Sequence, residues 1–267
     1  VEGKHAFVGI GMRLVVLDIT NQQRINEVGS SKVLRGNVTG VVISKKTAYV
    51  SAGGAGLYIM NISNPKMPSI QGFYDSPGYP ENVYVKGKYA YIADGWAGLQ
   101  VVDISAAKNP KEVGSAPEIG YAFDVVVSKE VAYIATGGAG LKIVDIKNPA
   151  MPVEIGWYNT PGYSYGVSFS PAKNAVFVAD CWEGMQVIDV SNSYQPRFIA
   201  SYKTPGWAFG VFLSRDTLYV SDAFKGLRLL DIKSLSNPIE IGFYESYGHA
   251  GRVFIEGQTC LLYTSDA

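Results

Sequence analysis

The side chains able to do chemistry are few and scattered. The chain of 267 residues has two histidines, His5 and His249, and two cysteines, Cys181 and Cys260. Their spacing matches no metal-ligand pattern and no disulfide framework. There is no Asp-rich calcium loop and no serine in a nucleophile-elbow motif. Cys181, beside Trp182, is a reactive thiol or an inert, partly buried one, and burial is the commoner fate of such a residue. Glu81 and Asp124, at successive positions of the repeat in neighbouring copies, are candidates for a carboxylate pair across two blades. Two carboxylates a few ångströms apart are the minimum for glycoside hydrolysis, although acidic residues gather near channels without catalysing anything. No cofactor and no metal are expected, and no catalytic residue is assigned.

Aromatic residues are more numerous. Their meaning depends on the frame that carries them. A strand ending in Asp/Asn-Ile/Val recurs along the whole chain, anchored at Asp18, Asn61, Asp103, Asp145, Asp189 and Asp231, with spacings of 42 to 44 residues. Internal repetition at this period signals a repeat architecture. It leaves no room for a separate domain or a long linker.

One copy reads as four strands. Strand A is Tyr121–Val127, strand B Val131–Ala135, strand C Leu141–Ile146 and strand D Val153–Tyr158. A glycine turn, Thr136–Gly140, joins B to C, and Asn148-Pro149 breaks the chain between C and D because proline fixes φ and removes a ladder donor. Strand C is apolar on both pleat faces, whereas a sandwich strand would alternate. Sheets covered on both faces fit blades stacked around an axis, so the expectation is an all-β β-propeller of four-stranded blades. A linear solenoid is the alternative. The first copy has strands B, C and D. The last supplies a strand A at Gly251–Glu256, expected to close the N-terminal blade and make six.

The segment Leu141-Lys-Ile-Val-Asp145, with its five in-register counterparts, resembles the LVIVD repeat. The second copy departs from the pattern with Met60-Asn61 and the fifth with Met185. The resemblance spans nearly the whole chain. It implies a β-propeller and a surface or secreted protein of bacteria or archaea, and it carries no catalytic residues with it.

Residues present in every copy serve the blade. The strand-C Asp should accept backbone N–H bonds at the following turn, and the glycines before strand C (Gly56, Gly98, Gly140, Gly184, Gly226) should supply positive φ or close approach. No helix follows them, so they are not phosphate-binding loops. Positions that vary are the candidates for recognition. At the start of strand A one position reads Asn37, Tyr79, Tyr121, Tyr163, Trp207, His249. Two residues on it reads Thr39, Glu81, Phe123, Tyr165, Phe209, Gly251, and then Gly40, Asn82, Asp124, Gly166, Gly210, Arg252. In the B–C turn the bulky position reads Gly54, Trp96, Gly138, Trp182, Phe224.

The ligand-binding candidates are therefore Tyr79, Glu81, Trp96, Tyr121, Asp124, Tyr163, Trp182, Trp207, His249 and Arg252, expected at one end of a channel. Aromatic rings with sparse polar groups suit a sugar, a peptide or another protein. The competing reading has the same rings packing between blades.

Composition narrows the partners. Lys+Arg and Asp+Glu balance at 23 each, with no basic cluster, so nucleic acid is not an expected partner. No apolar stretch reaches the length of a membrane helix. The segment from Cys260 to Ala267 resembles the translation of a sequencing adapter, although Tyr263 and Asp266 fit the repeat. The expected propeller domain is residues 1–259. The expected function is a non-catalytic binding or scaffold module on a cell-surface or secreted protein. A carbohydrate-active hydrolase or lyase using Glu81 and Asp124, or a purely structural repeat segment of a larger surface protein, are the alternatives.

Overall fold

The computed structural model describes residues 1–21, 23–257 and 259–265. Asp266 and Ala267, the end of the adapter-like segment, lie outside the described residues. By internal packing the chain divides into two compact units, residues 1–122 with 148–152, and residues 123–147 with 153–267.

The first unit holds three antiparallel sheets in simple meander order. One is β1 (His5–Ile10), β2 (Arg13–Asp18) and β3 (Asn26–Ser30). The next is β4 (Gly40–Ser44), β5 (Thr47–Ser51), β6 (Leu57–Asn61) and β7 (Ser69–Tyr74). The third is β8 (Asn82–Lys86), β9 (Tyr89–Ala93), β10 (Leu99–Asp103) and β11 (Lys111–Ala116).

The second unit repeats the pattern. Its first sheet is β12 (Asp124–Ser128), β13 (Val131–Ala135), β14 (Leu141–Asp145) and β15 (Val153–Tyr158). Then come β16 (Gly166–Ser170), β17 (Ala175–Ala179), β18 (Met185–Asp189) and β19 (Arg197–Tyr202). The last full sheet is β20 (Ala208–Ser214), β21 (Thr217–Asp222), β22 (Leu227–Asp231) and β23 (Ile239–Tyr244). A hairpin of β24 (His249–Glu256) and β25 (Thr259–Ser265) follows.

Strand C of each copy (β2, β6, β10, β14, β18, β22) has a strand on both sides, as its two apolar faces require. In β10 the run Leu99-Gln-Val-Val102 is buried throughout, as is Leu57-Tyr-Ile-Met60 in β6. Burying each such Leu, Ile or Val contributes about 1.5–3 kcal/mol. Even Gln100 and Gln186 are covered; each donates its side-chain N–H to a turn carbonyl, Ala97 at 2.8 Å and Glu183 at 3.1 Å. In every copy the C–D ladder slips by one residue, as between Ile143 and Val144. The bulge adds local twist to the outer strand.

The turns follow their residue types. The strand-C carboxylates and Asn61 each accept a backbone N–H two residues on, as in Thr20 N to Asp18 Oδ1 at 2.8 Å and Lys147 N to Asp145 Oδ1 at 2.7 Å. These bonds hold the carboxyls of Asp18, Asp103, Asp189 and Asp231 below the ordinary range. The five glycines before strand C all have φ between 69° and 91°, in the left-handed region that a Cβ disfavours.

The last strand A departs from expectation. β24 forms its ladder with β25, from His249–Ser265 to Glu256–Thr259, and β1, β2 and β3 form a three-stranded sheet. The reason is local. Gly257, at φ 58°, turns the chain straight back, and residues 259–265 carry the apolar and β-branched pattern of a strand B, so the hairpin forms between sequence neighbours. The expected closing contact of β24 is replaced by this A–B hairpin.

Candidate functional site

A short backbone bridge builds the candidate face. In four of the B–C turns the bridging residue takes a left-handed conformation, namely Gly95, Gly137, Cys181 or Ala223, with φ between 47° and 57°. That residue pairs with Ala122, Ser164, Ala208 or Ala250, just before or at the start of the next strand A. Three of these bridges close with reciprocal bonds: Cys181 N to Ala208 O and Ala208 N to Cys181 O, both 3.0 Å, Gly95 N to Ala122 O at 3.1 Å with its return at 2.9 Å, and Gly137 N to Ser164 O at 2.9 Å with its return at 3.1 Å. The residue after each left-handed position is Trp96, Gly138, Trp182 or Phe224. The residue before each partner is Tyr121, Tyr163, Trp207 or His249. The bridge therefore sets the two variable positions beside one another. Cys181 and Ala223 hold φ values that cost a non-glycine residue on the order of 1 kcal/mol, offset by the paired backbone.

In the first unit Trp96 lies between two tyrosines, with ring centroids 6.0 Å from Tyr79 and 6.3 Å from Tyr121. Trp96 is 60% exposed, and the tyrosines are half-buried. The Tyr121 hydroxyl donates to Glu81 Oε1 at 2.9 Å. These four candidates form one group, a ring wall with a carboxylate at its edge.

The second unit carries a longer chain of rings. Phe123 meets Tyr163 and Tyr165, at 5.6 and 4.8 Å, and Tyr165 meets Phe209 at 4.7 Å. Phe209 meets His249 at 4.6 Å, and His249 meets Phe224 at 5.0 Å. Trp182 stands 6.4 Å from Tyr163. Trp182, Trp207 and Phe224 are exposed, while Tyr163 and His249 are half-buried. Packing and exposure thus coexist: rings at the start of strand A touch one another, and the turn aromatics stand proud.

The polar candidates are engaged by the fold. Asp124 accepts the N–H of Val125 at 2.9 Å through Oδ1 and that of Val167 at 3.0 Å through Oδ2, so its carboxylate ties β12 to β16. Gly166 and Gly210 at the equivalent position do this differently. A Cβ on Gly166 would run into Gly210 and the Phe209 carbonyl, and one on Gly210 into the Gly251 carbonyl, so neighbouring A strands approach closely there. Arg252 donates through an Nη to the Phe123 carbonyl at 3.4 Å. Cys181 is buried, and burial pushes its thiol up, which makes it an inert packing residue at neutral pH.

Three buried carboxylates do not stand out in the sequence as a functional set. Asp94, Asp180 and Asp222 lie in the B–C turns with no exposed surface. Asp94 accepts Ser76 Oγ at 2.8 Å and Gly78 N at 3.0 Å. Asp180 accepts Thr160 Oγ1 at 2.6 Å, Gly162 N at 2.8 Å and Ser164 Oγ at 3.2 Å. Asp222 accepts Gly206 N through both oxygens and Arg228 Nε at 3.3 Å. Each clamps the D–A connection of its own copy. A signal is nonetheless present in the sequence. The copies with this Asp carry Ser/Thr-Pro-Gly at 76–78, 160–162 and 204–206, and the copies with Ala52 or Thr136 do not. Desolvation raises all three carboxyls, Asp94 to about 6, against the opposing pull of these bonds.

Among the described residues no group of three His, Cys, Asp or Glu could hold a metal ion. Among the same residues no helix is long and apolar enough to cross a membrane.

The model of the LVIVD repeat matches residues 1–33, 35–76, 77–117, 119–160, 171–204 and 205–246. The chain belongs to the LVIVD-repeat family. Its six repeats coincide with the six strand-C anchors. Similar solved structures are at 11–16% identity and bear on fold alone. The β-propeller domain of Cps50 (Swd1) from Myceliophteria thermophila has a TM-score of 0.75 at 11% identity, over 94% of this chain and 86% of that one. A computationally designed protein, Ika8, gives 0.70 at 11%, over 97% and 80%. A functionally unknown protein from Desulfotomaculum acetoxidans gives 0.70 at 16%, over 89% and 77%. A search of the curated proteins finds no match. This LVIVD-repeat chain is thus an all-β β-propeller protein of six repeats, as its sequence led one to expect.

Proposed function

We propose that this LVIVD-repeat propeller is a non-catalytic binding or scaffold module that takes a protein, peptide or carbohydrate partner on its B–C-turn aromatics, in a cell-surface or secreted bacterial or archaeal protein. The observation that carries this reading is the exposure of Trp96 and Trp182, at 60% and 46%, the first beside Tyr79 and Tyr121 and the second beside Tyr163. A ring that served blade packing alone would be covered. Large aromatics held on a rigid backbone bridge bind at low entropic cost. Against the hydrolase alternative, both oxygens of Asp124 accept backbone N–H groups, from Val125 and Val167, in tying β12 to β16.

The test is a screen of glycan and peptide libraries against the wild type, followed by calorimetry on Trp96→Ala and Trp182→Ala. Loss of an anchor should weaken binding by about 1–3 kcal/mol with an unchanged melting curve. Unchanged affinity in both variants, or hydrolysis of a bound glycan, would overturn it.

A further inference from the structure

Several aromatic rings of this chain carry a cation of its own. Lys142 Nζ stands 5.8 Å from the centre of the Trp157 ring, and Lys88 Nζ 5.1 Å from that of Tyr89. The guanidinium carbons of Arg228 and Arg35 stand 5.0 and 6.0 Å from Phe243 and Phe73. An aromatic face is electron-rich and attracts a positive charge held within about 6 Å of it. Trp96 is as exposed as Trp157, 60% against 58%. Among the described residues, however, no lysine or arginine stands over Trp96.

The surroundings of Trp96 suit a cation from outside. Its ring plane meets those of Tyr79 and Tyr121 at 44° and 62°, so the three rings are walls of a corner. A sugar ring stacks on one flat platform, whereas a rounded cation can touch several faces at once. The Tyr121 hydroxyl, in donating to Glu81 Oε1 at 2.9 Å, makes its own ring more electron-rich. The carboxylate sets a negative charge at the rim. The walls are also held in place. A Cβ on Gly53 would come within 2.8 Å of the Tyr79 ring, and one on Gly95 within 3.2 Å of the Tyr121 ring, so each tyrosine packs closely on a glycine turn.

We infer that Tyr79, Trp96, Tyr121 and Glu81 bind a quaternary ammonium group. The inference rests on the binding role proposed for Trp96 and names the chemistry of its ligand. A methylated ammonium has no N–H to leave unpaired against apolar walls. Its methyl groups pack on the rings, while its charge is drawn to their faces and to Glu81. A primary ammonium would surrender hydrating water to rings that return no hydrogen bond of equal strength.

The probe is choline, titrated into the full chain and followed through the indole N–H resonances of the four tryptophans. The resonance lost in Trp96→Phe assigns Trp96. It should shift to saturation, and that of Trp157, under Lys142, should stay. Neohexanol, the uncharged carbon isostere of choline, and ethanolamine, its unmethylated analogue, should each bind about tenfold more weakly or worse. Glu81→Gln keeps an acceptor for the Tyr121 hydroxyl and should weaken choline several-fold. Trp96→Ala should remove choline binding with an unchanged melting curve. Tighter binding of acetylated trimethyl-lysine amide than of choline would assign the group to a modified protein side chain, and the reverse order to a free small molecule; either order supports the inference. Equal binding of neohexanol or ethanolamine, no shift at Trp96, or choline binding that survives Trp96→Ala would overturn it. A glycan or uncharged peptide that binds through Trp96 where choline does not would also overturn it, and would leave the proposed binding role standing.

Discussion

Replacing Asp94 by asparagine should change how stability depends on pH. Asp94 has no exposed surface, and burial raises its carboxyl from 3.8 to about 6, against hydrogen bonds from Ser76 and Gly78. The unfolded chain releases this proton near pH 3.8 and the folded chain near 6. Below the lower value both states hold it and the group has no effect. Between the two values the folded state binds more protons, so stability falls as pH rises. Above the upper value both states are ionised and the full penalty stands. A shift of about 2 units at about 1.36 kcal/mol each is about 3 kcal/mol. The asparagine side chain keeps a carbonyl acceptor and cannot ionise. The wild-type advantage over Asp94→Asn should therefore shrink by about 3 kcal/mol between about pH 4 and pH 7. Urea unfolding of both proteins at steps across that range reads it directly. Asp180 and Asp222 titrate in both chains and cancel in the difference. A difference that stays flat with pH would refute the argument that desolvation outweighs the hydrogen bonds.

Asp180→Ala strands the hydroxyls of Thr160 and Ser164 and the N–H of Gly162, and should cost about 3 kcal/mol or more in chemical denaturation. Gly140→Ala places a Cβ at φ 76° against the Tyr158 carbonyl and should lower stability by about 2 kcal/mol or more, while Gly242→Ala stays within about 0.5 kcal/mol. Lys129 holds φ 50° in an A–B turn, so Lys129→Gly should leave the melting temperature unchanged or slightly raised. Residues 259–264 present no fully buried side chain, and a chain ending at Gln258 should melt within a few degrees of the longer one.

Much of this fold is legible in the sequence because each copy restates the same local chemistry. The strand-C Asp and the glycine ahead of it each solve a turn problem within a few residues of themselves, and such solutions show in the sequence at once. The ladder of β24 is not legible in the same way, because the choice between a distant strand and a neighbouring one depends on the turn between. Gly257 decides it. Asp94, Asp180 and Asp222 show in the sequence as a variable position but not as clamps. Their partners lie 16 to 20 residues away, and the link emerges only when both positions are compared across copies. The aromatics at the start of strand A can be counted but not sorted into packed and exposed, because that depends on the left-handed bridge residues. Two of these, Cys181 and Ala223, are types that seldom adopt such a conformation.

On four D strands a glycine, Gly29, Gly72, Gly114 or Gly156, lies flat against backbone of the following copy's C–D corner, and this has an evolutionary corollary. What lies over Gly29, Gly72, Gly114 and Gly156 is main chain, and the residues supplying it are Lys, Ala, Pro–Ala and Ser. An interface that reads the peptide unit and not the side chain does not record which copy it faces. Corner sequences are then free to drift without unseating their neighbours. A duplicated or deleted copy meets a surface that already fits it. Lineages of such proteins should vary in blade number more readily than in blade shape, and the side chains that diverge fastest should be those at the corners.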